Sequence, residues 1–406
     1  MKNARILTSL MLALLMGYTM TARGQSTSRA KRAPAKAQAT PQLNAEFDKA
    51  VKFAEEARTT GRLDEAAELY TNVVRIRPKW PDGWWYLGAI FYEKDHYPQA
   101  RDAFRNLVVL DPKRGSAWGM LGLCEFQTRD YERAVISLQR GRSLGFNGNQ
   151  ELESVVRYHT ALLYIRFEQF EIGYEILKEF LRVGNDNPKI AQAFGLTILR
   201  MPTLPAEIPT DKREEVLLAG QAGLSMGARR LDEARKAFDS LLTQYPNDPN
   251  VHYSFAVFQL SQDADAALKE FQRALELEPL HQPAMVQMAF EYLKRDQYND
   301  ALPLAERAVQ LAPKMYPARN VLGRVLLELG QIDRAVKELE EGIRIAPSSP
   351  EMHFALARAY TRAGRKQEAD REREIFKQLQ DKYDQQNNPA QTGSTPSTNA
   401  AKPNPR

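Results

Sequence analysis

The chain has 406 residues, of which 43% are hydrophobic and 26% charged, an ordinary composition for a folded protein of two or three domains. Its single cysteine, Cys124, excludes an intramolecular disulfide. The net charge of +5 comes from the ends, because residues 1–24, 25–44 and 385–406 contain Lys and Arg but no Asp or Glu, and the residues between them sum to −4. The basic balance therefore gives no reason to expect a nucleic-acid groove.

The first 24 residues are typical of a secretory signal peptide. Lys2 and Arg5 precede an uncharged, largely apolar run at 6–20, and Ala22 and Gly24 supply the small residues that cleavage needs. The run has about 15 residues, fewer than the roughly 20 that span a bilayer. We therefore expect a cleaved signal and a periplasmic or secreted protein without a membrane span. The alternative is a protein anchored in the inner membrane by an uncleaved signal.

Residues 25–44 and 385–406 are rich in small and polar residues and Pro, and they contain no aromatic residue. We expect a disordered basic linker and a disordered tail. The linker's four cations would suit weak contact with an anionic envelope surface, a solvated linker being the alternative: Arg29, Lys31, Arg32 and Lys36.

Residues 81–114 contain the pattern on which the rest of the chain is built. Two amphipathic helices are predicted, with Trp84, Leu87, Gly88 and Phe91 on the first and Ala100, Phe104 and Pro112 on or just after the second. Gly88 and Ala100 have almost no side chain, so the helices can approach closely while Phe104 fills the space beside them. Pro112 ends the second helix.

Nine copies of this pattern are found, beginning at Phe47, Pro81, Gly115, Ser154, Glu215, Pro249, Gln282, Tyr316 and Pro350. The first helix of each copy has a small residue at one fixed position: Ala54, Gly88, Gly122, Ala161, Ala222, Ala256, Ala289, Gly323 and Ala357. The second helix has another: Ala66, Ala100, Ala134, Gly173, Ala234, Ala267, Ala301, Ala335 and Ala369. A single residue is missing near Asp263, where the deletion falls in a turn.

This order and spacing resemble the tetratricopeptide repeat, a 34-residue helix pair, with Phe91 standing where the family has Tyr. The resemblance implies an all-α fold, a right-handed α-solenoid of about nine helix pairs. Asn187–Arg200 is predicted to be an odd, unpaired helix, and the three prolines within 201–210 exclude helix there. We therefore expect a first block of four repeats at 45–187, a connector at 188–210 and a second block of five repeats at 211–384.

No residue pattern indicates catalysis. The five histidines are scattered without metal-ligand spacing, and no glycine-rich phosphate loop follows a strand. We predict no enzyme activity, no catalytic residues, no cofactor and no metal.

In this family the exposed face of each first helix lines a concave groove. The matching positions here are apolar in the early repeats and mainly basic in the late ones: Trp85, Tyr92, Leu123, Phe126 and Tyr158, then Asn320, Arg324, Arg358 and Arg362. The resemblance implies a groove for an extended or helical peptide with an acidic end. The alternative is that the arginines form a solvated face and that the aromatic residues pack on the next repeat.

The resulting hypothesis is a non-catalytic interaction scaffold that binds a protein or peptide in its concave face, without nucleic acid. The alternative is an envelope-associated assembly or anchoring factor that acts through its basic N-terminal linker.

Overall fold

A computed structural model describes residues 41–387 except 183, 185 and 186. The predicted signal peptide lies outside this part, as do residues 25–40 of the predicted linker and 388–406 of the predicted tail. The described residues form nineteen α-helices, two short 3-10 helices and no strand, which confirms the all-α prediction. None of these helices is both long and apolar enough to cross a bilayer.

The helices fall into two compact bodies, which divide between Tyr245 and Pro246. The N-terminal body contains α1 Pro41–Thr59, α2 Leu63–Ile76, α3 Pro81–Glu93, α4 Tyr97–Leu110, α5 Gly115–Gln127, α6 Tyr131–Leu144, α7 Gln150–Arg166, α8 Phe170–Leu181, α9 Pro188–Ile198, α10 Arg213–Gly227 and α11 Leu231–Gln244. The C-terminal body contains α12 Pro249–Gln259, α13 Ala264–Leu277, α14 Gln282–Lys294, α15 Tyr298–Leu311, α16 Tyr316–Glu328, α17 Ile332–Ile345, α18 Pro350–Arg362 and α19 Lys366–Asn387.

Two helices extend beyond the predicted limits of the repeats. The first begins at Pro41, inside the predicted linker, and the last continues to Asn387, inside the predicted tail. Proline is well suited to the first turn of a helix, because the amide hydrogen that it lacks has no partner there in any case.

Most of the turns within helix pairs share one backbone geometry. Eight of these turns contain one residue in the left-handed region, with φ between 58° and 76°: Gly61, Asp95, Arg129, Glu168, Arg229, Asp296, Gly330 and Gly364. The turn between α12 and α13 has no such residue among those described, and Asp263 caps α13 directly by accepting from the amides of Asp265 and Ala266. The missing residue thus falls in the predicted turn.

The small residues of the repeat lie where helices touch. Ala100, Ala301 and Ala335 are fully buried, and every alanine of the two small positions is at most 3% exposed. A Cβ atom added to Gly88 would lie 2.9 Å from the ring of Phe104, and one added to Gly323 would lie 2.5 Å from Leu339. Bulk is therefore excluded at these positions.

Ala301→Leu is expected to lower the free energy of unfolding by about 1–3 kcal/mol, because three extra carbons must enter a filled helix contact. Ala301 is fully buried, whereas Asn299 on the same helix is exposed. Asn299→Leu should therefore change stability by no more than about 0.5 kcal/mol. Urea denaturation followed by circular dichroism compares the two variants, and equal effects would show that the repeat register is wrong.

The odd helix α9 is not unpaired, which corrects the sequence prediction. It packs against α8 and, over most of its length, against α10. A Cβ atom on Gly195 would lie 1.9 Å from the carbonyl oxygen of Val216, and one on Gly220 would lie 2.1 Å from that of Ala191. The two backbones are therefore in direct contact, and α10 packs on α9 as well as on α11.

The proline-rich connector is fastened to the end of α7. Arg166 Nη1 donates to the carbonyl of Pro202 at 3.2 Å and lies 2.9 Å from Glu207 Oε2. Leu204 and Ile208 are buried. Because α9 and this connector pack on their neighbours, residues 188–245 belong to the N-terminal body, and the predicted division at 188–210 differs from the one in the structure.

Candidate functional site

The predicted groove residues of α3 are packed inside the helix array. Trp85 is half-buried, edge-on to Phe104 with ring centroids 5.7 Å apart, and its other face is covered by the Arg114 guanidinium at 4.5 Å. Tyr92 is also half-buried and lies edge-on to Tyr97 at 5.4 Å. Both aromatic rings therefore contribute to packing between neighbouring helices.

The other three early groove residues are covered more completely or enclosed by rings. Leu123 is 1% exposed and Tyr158 is 9% exposed, so neither presents a free surface. The Tyr158 hydroxyl lies 3.5 Å from the carbonyl of Lys189 on α9, and burial raises the pKa of Tyr158 well above its usual value. Phe126 lies between Tyr131 and His159, at 5.6 and 4.7 Å. These contacts support the alternative in which the early aromatic residues are structural.

The basic residues of the late repeats do come together, on α16 and α18. Arg358 Nη2 lies 2.8 Å from Glu328 Oε1, and Arg362 Nη2 lies 2.9 Å from Glu328 Oε2. Arg362 also donates to the carbonyl of Leu327 at 2.8 Å. Two of the three predicted arginines are therefore held by Glu328, a residue that sequence reasoning missed although it lies four residues after Arg324 on the same helix face.

Arg324 differs from the other two arginines. It makes no ion pair with any described residue, and its guanidinium stacks over the ring of Phe290 at 5.3 Å. Burial lowers its pKa, the charge of Arg358 lowers it further, and Glu328 acts in the opposite direction. One turn earlier, the Oδ1 atom of Asn320 is buried without a hydrogen-bond partner. Arg324 is thus a partly desolvated cation without a carboxylate.

A cavity of about 280 Å³ opens beside Arg324, between α16, α18 and α19. Its apolar wall contains Phe354, which is 51% exposed, and Phe376, whose ring centroid lies 5.5 Å from that of Phe354. Arg358 and Glu351 also line it. Sequence reasoning missed both phenylalanines. The terminal helix, which contains Phe376, was assigned only a capping role, and Phe354 was not included among the groove residues although it occupies the position of Trp85 in the last repeat.

A larger cavity, of about 630 Å³, lies in the N-terminal body between α9, α10 and α11. Leu217, Leu218 and Ala237 give it an apolar floor, and Arg230 and Glu233 on its rim pair with each other at 3.3 Å. This cavity adjoins the place where the extra helix α9 interrupts the pairwise pattern.

The described residues contain no group of three or more His, Cys, Asp or Glu side chains that could hold a metal ion. Cys124 is buried, and burial raises the pKa of its thiol far above the usual range. The absence of enzyme activity, cofactor and metal stays a prediction from the sequence.

Stacked helix pairs, with small residues where the two helices of a pair touch, define an α-solenoid. Family models described as tetratricopeptide repeat match residues 51–105, 90–143, 221–248 and 292–358. The chain therefore contains tetratricopeptide repeats in both bodies, as the spacing of Gly88 and Ala100 predicts. A search of curated proteins finds no match.

Solved structures similar to the chain include several of MamA. The RS-1 ArsTM double mutant is 22% identical over 41% of this chain and 95% of that chain, with a TM-score of 0.37. MamA from residue 41 to its end, from Desulfovibrio magneticus RS-1, gives 22% identity, 41% and 96% coverage and a TM-score of 0.37. MamA AMB-1 gives 22% identity, 39% and 94% coverage and a TM-score of 0.34. Because both the sequence identity and the TM-scores are low, these matches say nothing about function.

Proposed function

We propose that the protein is a non-catalytic interaction scaffold whose C-terminal body binds an acidic segment of a partner protein in the cavity between α16, α18 and α19. The tetratricopeptide repeats support the scaffold role. The observation that carries the binding proposal is Arg324, a half-buried cation without a carboxylate, beside the half-exposed ring of Phe354.

The cavity favours a carboxylate for electrostatic reasons. A guanidinium removed from water costs free energy unless an anion or a set of acceptors replaces the lost hydration. Glu328 pairs with Arg358 and Arg362, and its charge is shared among the three arginines. A carboxylate from a partner would form a charge-assisted, bidentate hydrogen bond with Arg324.

The aromatic wall adds a requirement for an apolar neighbour. Phe354 and Phe376 form one exposed pair, and covering an exposed aromatic ring is a main source of binding free energy in small pockets. Glu351 at the rim disfavours a second acidic group next to the first. The segment that fits best thus places one carboxylate beside an apolar side chain.

Arg324→Ala is expected to weaken binding of such a peptide by about tenfold or more, since a hydrogen bond to a charged group contributes about 1.5–3 kcal/mol. Phe354→Ala is expected to weaken it by about tenfold or more as well, because it removes the exposed ring that the partner's apolar side chain covers. The probes are fluorescent peptides with one Glu next to Leu or Phe, each matched by a peptide with Gln in place of Glu. Fluorescence anisotropy gives the dissociation constants.

Arg344 and Ile345 on α17 supply matched control variants. Arg344 is exposed and paired with Glu341, and Ile345 is 38% exposed, but neither lines the cavity. Arg344→Ala and Ile345→Ala should leave binding unchanged. Equal affinity for the Glu and Gln peptides, or an Arg324→Ala variant that binds like the parent, would contradict the proposal.

We also place this scaffold outside the cytoplasm, because Lys2, Arg5 and the apolar run at 6–20 have the pattern of an export signal. The support comes from the sequence alone, since these residues lie outside the described part of the chain.

A further inference from the structure

In several repeats the fourth residue of the first helix makes the same contact. The indole nitrogen of Trp84 donates to the carbonyl of Pro78 at 2.8 Å, and that of Trp118 donates to the carbonyl of Pro112 at 3.0 Å. In both cases the proline lies six residues earlier, at the end of the preceding helix pair. In these two repeats the contact ties the helix pair to the one before it.

The C-terminal body makes the same contact with different side chains. Arg319 Nε donates to the carbonyl of Pro313 at 2.9 Å. His252 Nε2 lies 2.9 Å from the carbonyl oxygen of Pro246, and His353 Nε2 lies 3.0 Å from that of Pro347. Histidine and arginine thus replace the tryptophan donor at an equivalent position.

These replacements come with a second change. His252 Nδ1 lies 2.6 Å from Glu270, His353 Nδ1 lies 2.5 Å from Glu372, and Arg319 Nη1 lies 2.5 Å from Glu338. The corresponding positions opposite the two tryptophans are Ala103 and Ser137. A carboxylate faces the His and Arg side chains, which have a second nitrogen. No carboxylate stands opposite the two tryptophans, whose indole has only one N–H.

This geometry requires a doubly protonated imidazole. An imidazole that donates to both a carboxylate and a carbonyl must have hydrogen on both nitrogens, whereas a neutral ring has only one N–H. His252 is 8% exposed and His353 is 3% exposed, so water has little room to replace a lost hydrogen bond. Arg319 makes the same pair of contacts through a side chain that donates from several nitrogens at once.

The charged groups around His252 favour the imidazolium. Burial by itself lowers the pKa of His252, but the hydrogen bonds to Glu270 and to the carbonyl of Pro246 outweigh it, and the net pKa is raised. Arg273 opposes this change. A raised histidine pKa contributes stability that is fully present at low pH and is lost as pH rises through the folded-state value.

The surroundings of His353 connect it to the cavity. Glu372 belongs to α19, the helix that also contains Phe376, while His353 precedes Phe354 on α18. On the neighbouring α17, Glu340 accepts from the Tyr360 hydroxyl at 2.8 Å and lies 3.5 Å from Arg365. Glu340 is therefore engaged with other groups, and the His353–Glu372 pair directly joins the two helices that form the aromatic wall.

We propose that His252 and His353 are protonation-dependent fasteners of the C-terminal body, and that His353 regulates the cavity by holding α19 against α18. The regulatory part depends on the proposed function, whereas the fastening itself does not. Neutral His353 has one N–H for two acceptors, so either the bond to Glu372 or the bond to the Pro347 carbonyl is lost, and a bond that remains to Glu372 no longer joins opposite charges. The hold of α18 on α19 is then weaker, and the aromatic pair that receives the partner's apolar side chain separates.

Hydrogen exchange of the full chain, without ligand, tests the fastening. Protection factors of α18 and α19, measured at about pH 6 and about pH 8.5, should be lower at the higher pH. His353→Arg copies the Arg319–Glu338 pair and should remove this dependence. Glu372→Gln offers an N–H donor to the unprotonated nitrogen of neutral His353 and should reduce it. His96→Arg, at an exposed turn residue, should behave like the parent.

Protection that is independent of pH in the parent would overturn the proposal, as would His353→Arg retaining the parent's pH dependence. If His353→Arg does not fold, Glu372→Gln decides the same question, because it leaves the histidine in place. A pH-dependent parent together with an unaffected Glu372→Gln variant would also overturn it.

Binding of the Glu-containing peptides then tests the regulation. Affinity in the parent should fall by about fivefold or more over the same pH interval, a typical coupling between two sites, and His353→Arg should bind equally at both ends. The peptide carboxylate stays ionised throughout. If the peptides do not bind at any pH, the proposed function is contradicted and the hydrogen-exchange result still stands. If they bind with the same affinity at both pH values, only the regulation is contradicted.

Discussion

Phe104→Ala is expected to lower the free energy of unfolding of the N-terminal body by about 3–5 kcal/mol, the largest loss that we expect from a single truncation in this chain. Phe104 is fully buried, and its ring lies against the bare backbone of Gly88, where an added Cβ would come within 2.9 Å. Trp85 packs edge-on to it. Two rigid helices and an indole surround the ring, so the cavity cannot close by a small shift.

Tryptophan fluorescence during urea denaturation measures this effect locally. All four tryptophans lie close to Phe104 in sequence, at Trp80, Trp84, Trp85 and Trp118, so the signal reports on the N-terminal body alone. Val109→Ala on the same helix is the matched control, because Val109 is 76% exposed and should change stability by no more than about 0.5 kcal/mol. Similar losses for the two variants would show that Phe104 does not hold α3 and α4 together.

The repeating part of the fold could be predicted because its contacts are local in sequence. Gly88 and Phe104 are 16 residues apart, and the same spacing separates Gly323 from Leu339, so one helix pair contains most of the information about its own packing. The deletion at Asp263 could be placed for the same reason. The residue that is missing from the 34-residue pattern is a turn residue, so both helices keep their buried faces.

The packing of α9 could not be predicted in this way. Its contact with α10 depends on Gly195 and Gly220, which lie on helices of different length separated by the proline-rich connector. Nothing in their spacing repeats elsewhere in the chain. The sequence predicts a helix at 187–200, but the partner of that helix is set by three-dimensional packing.

The binding role of the candidate site stays a prediction. Helical spacing places Arg358 and Arg362 on one face of α18, and the structure puts Arg324 of α16 beside the same cavity as Arg358. The early groove residues are a different case, since Leu123 and Tyr158 lie on the same kind of face and are nevertheless covered by neighbouring helices. Helical periodicity gives the direction of a side chain, and only the neighbouring elements determine whether that face meets solvent.

Gly195→Ala is expected to destabilise the N-terminal body by about 1–3 kcal/mol or more, the usual cost of overpacking a filled contact. In an exposed helix interior the same substitution stabilises by roughly 0.5–1 kcal/mol, so the sign of the effect is diagnostic. The new Cβ would lie 1.9 Å from the carbonyl oxygen of Val216, an atom of the α10 backbone. The clash is relieved only if α9 and α10 move apart, and this movement would also disturb the contact between Gly220 and Ala191.

Gly227→Ala on α10 is the matched control. Its added Cβ would meet only side-chain atoms, the nearest being Leu181 Cδ1 at 2.9 Å, and these can move by rotation. We expect little change or a small gain in stability, measured by urea denaturation with both variants under the same conditions. Because α9 and α10 hold residues 188–245 in the N-terminal body, Gly195→Ala should also speed hydrogen exchange in the connector that Arg166 fastens, while Gly227→Ala should not. If Gly195→Ala is as stable as the control, the close backbone contact that makes α9 part of the N-terminal body does not exist.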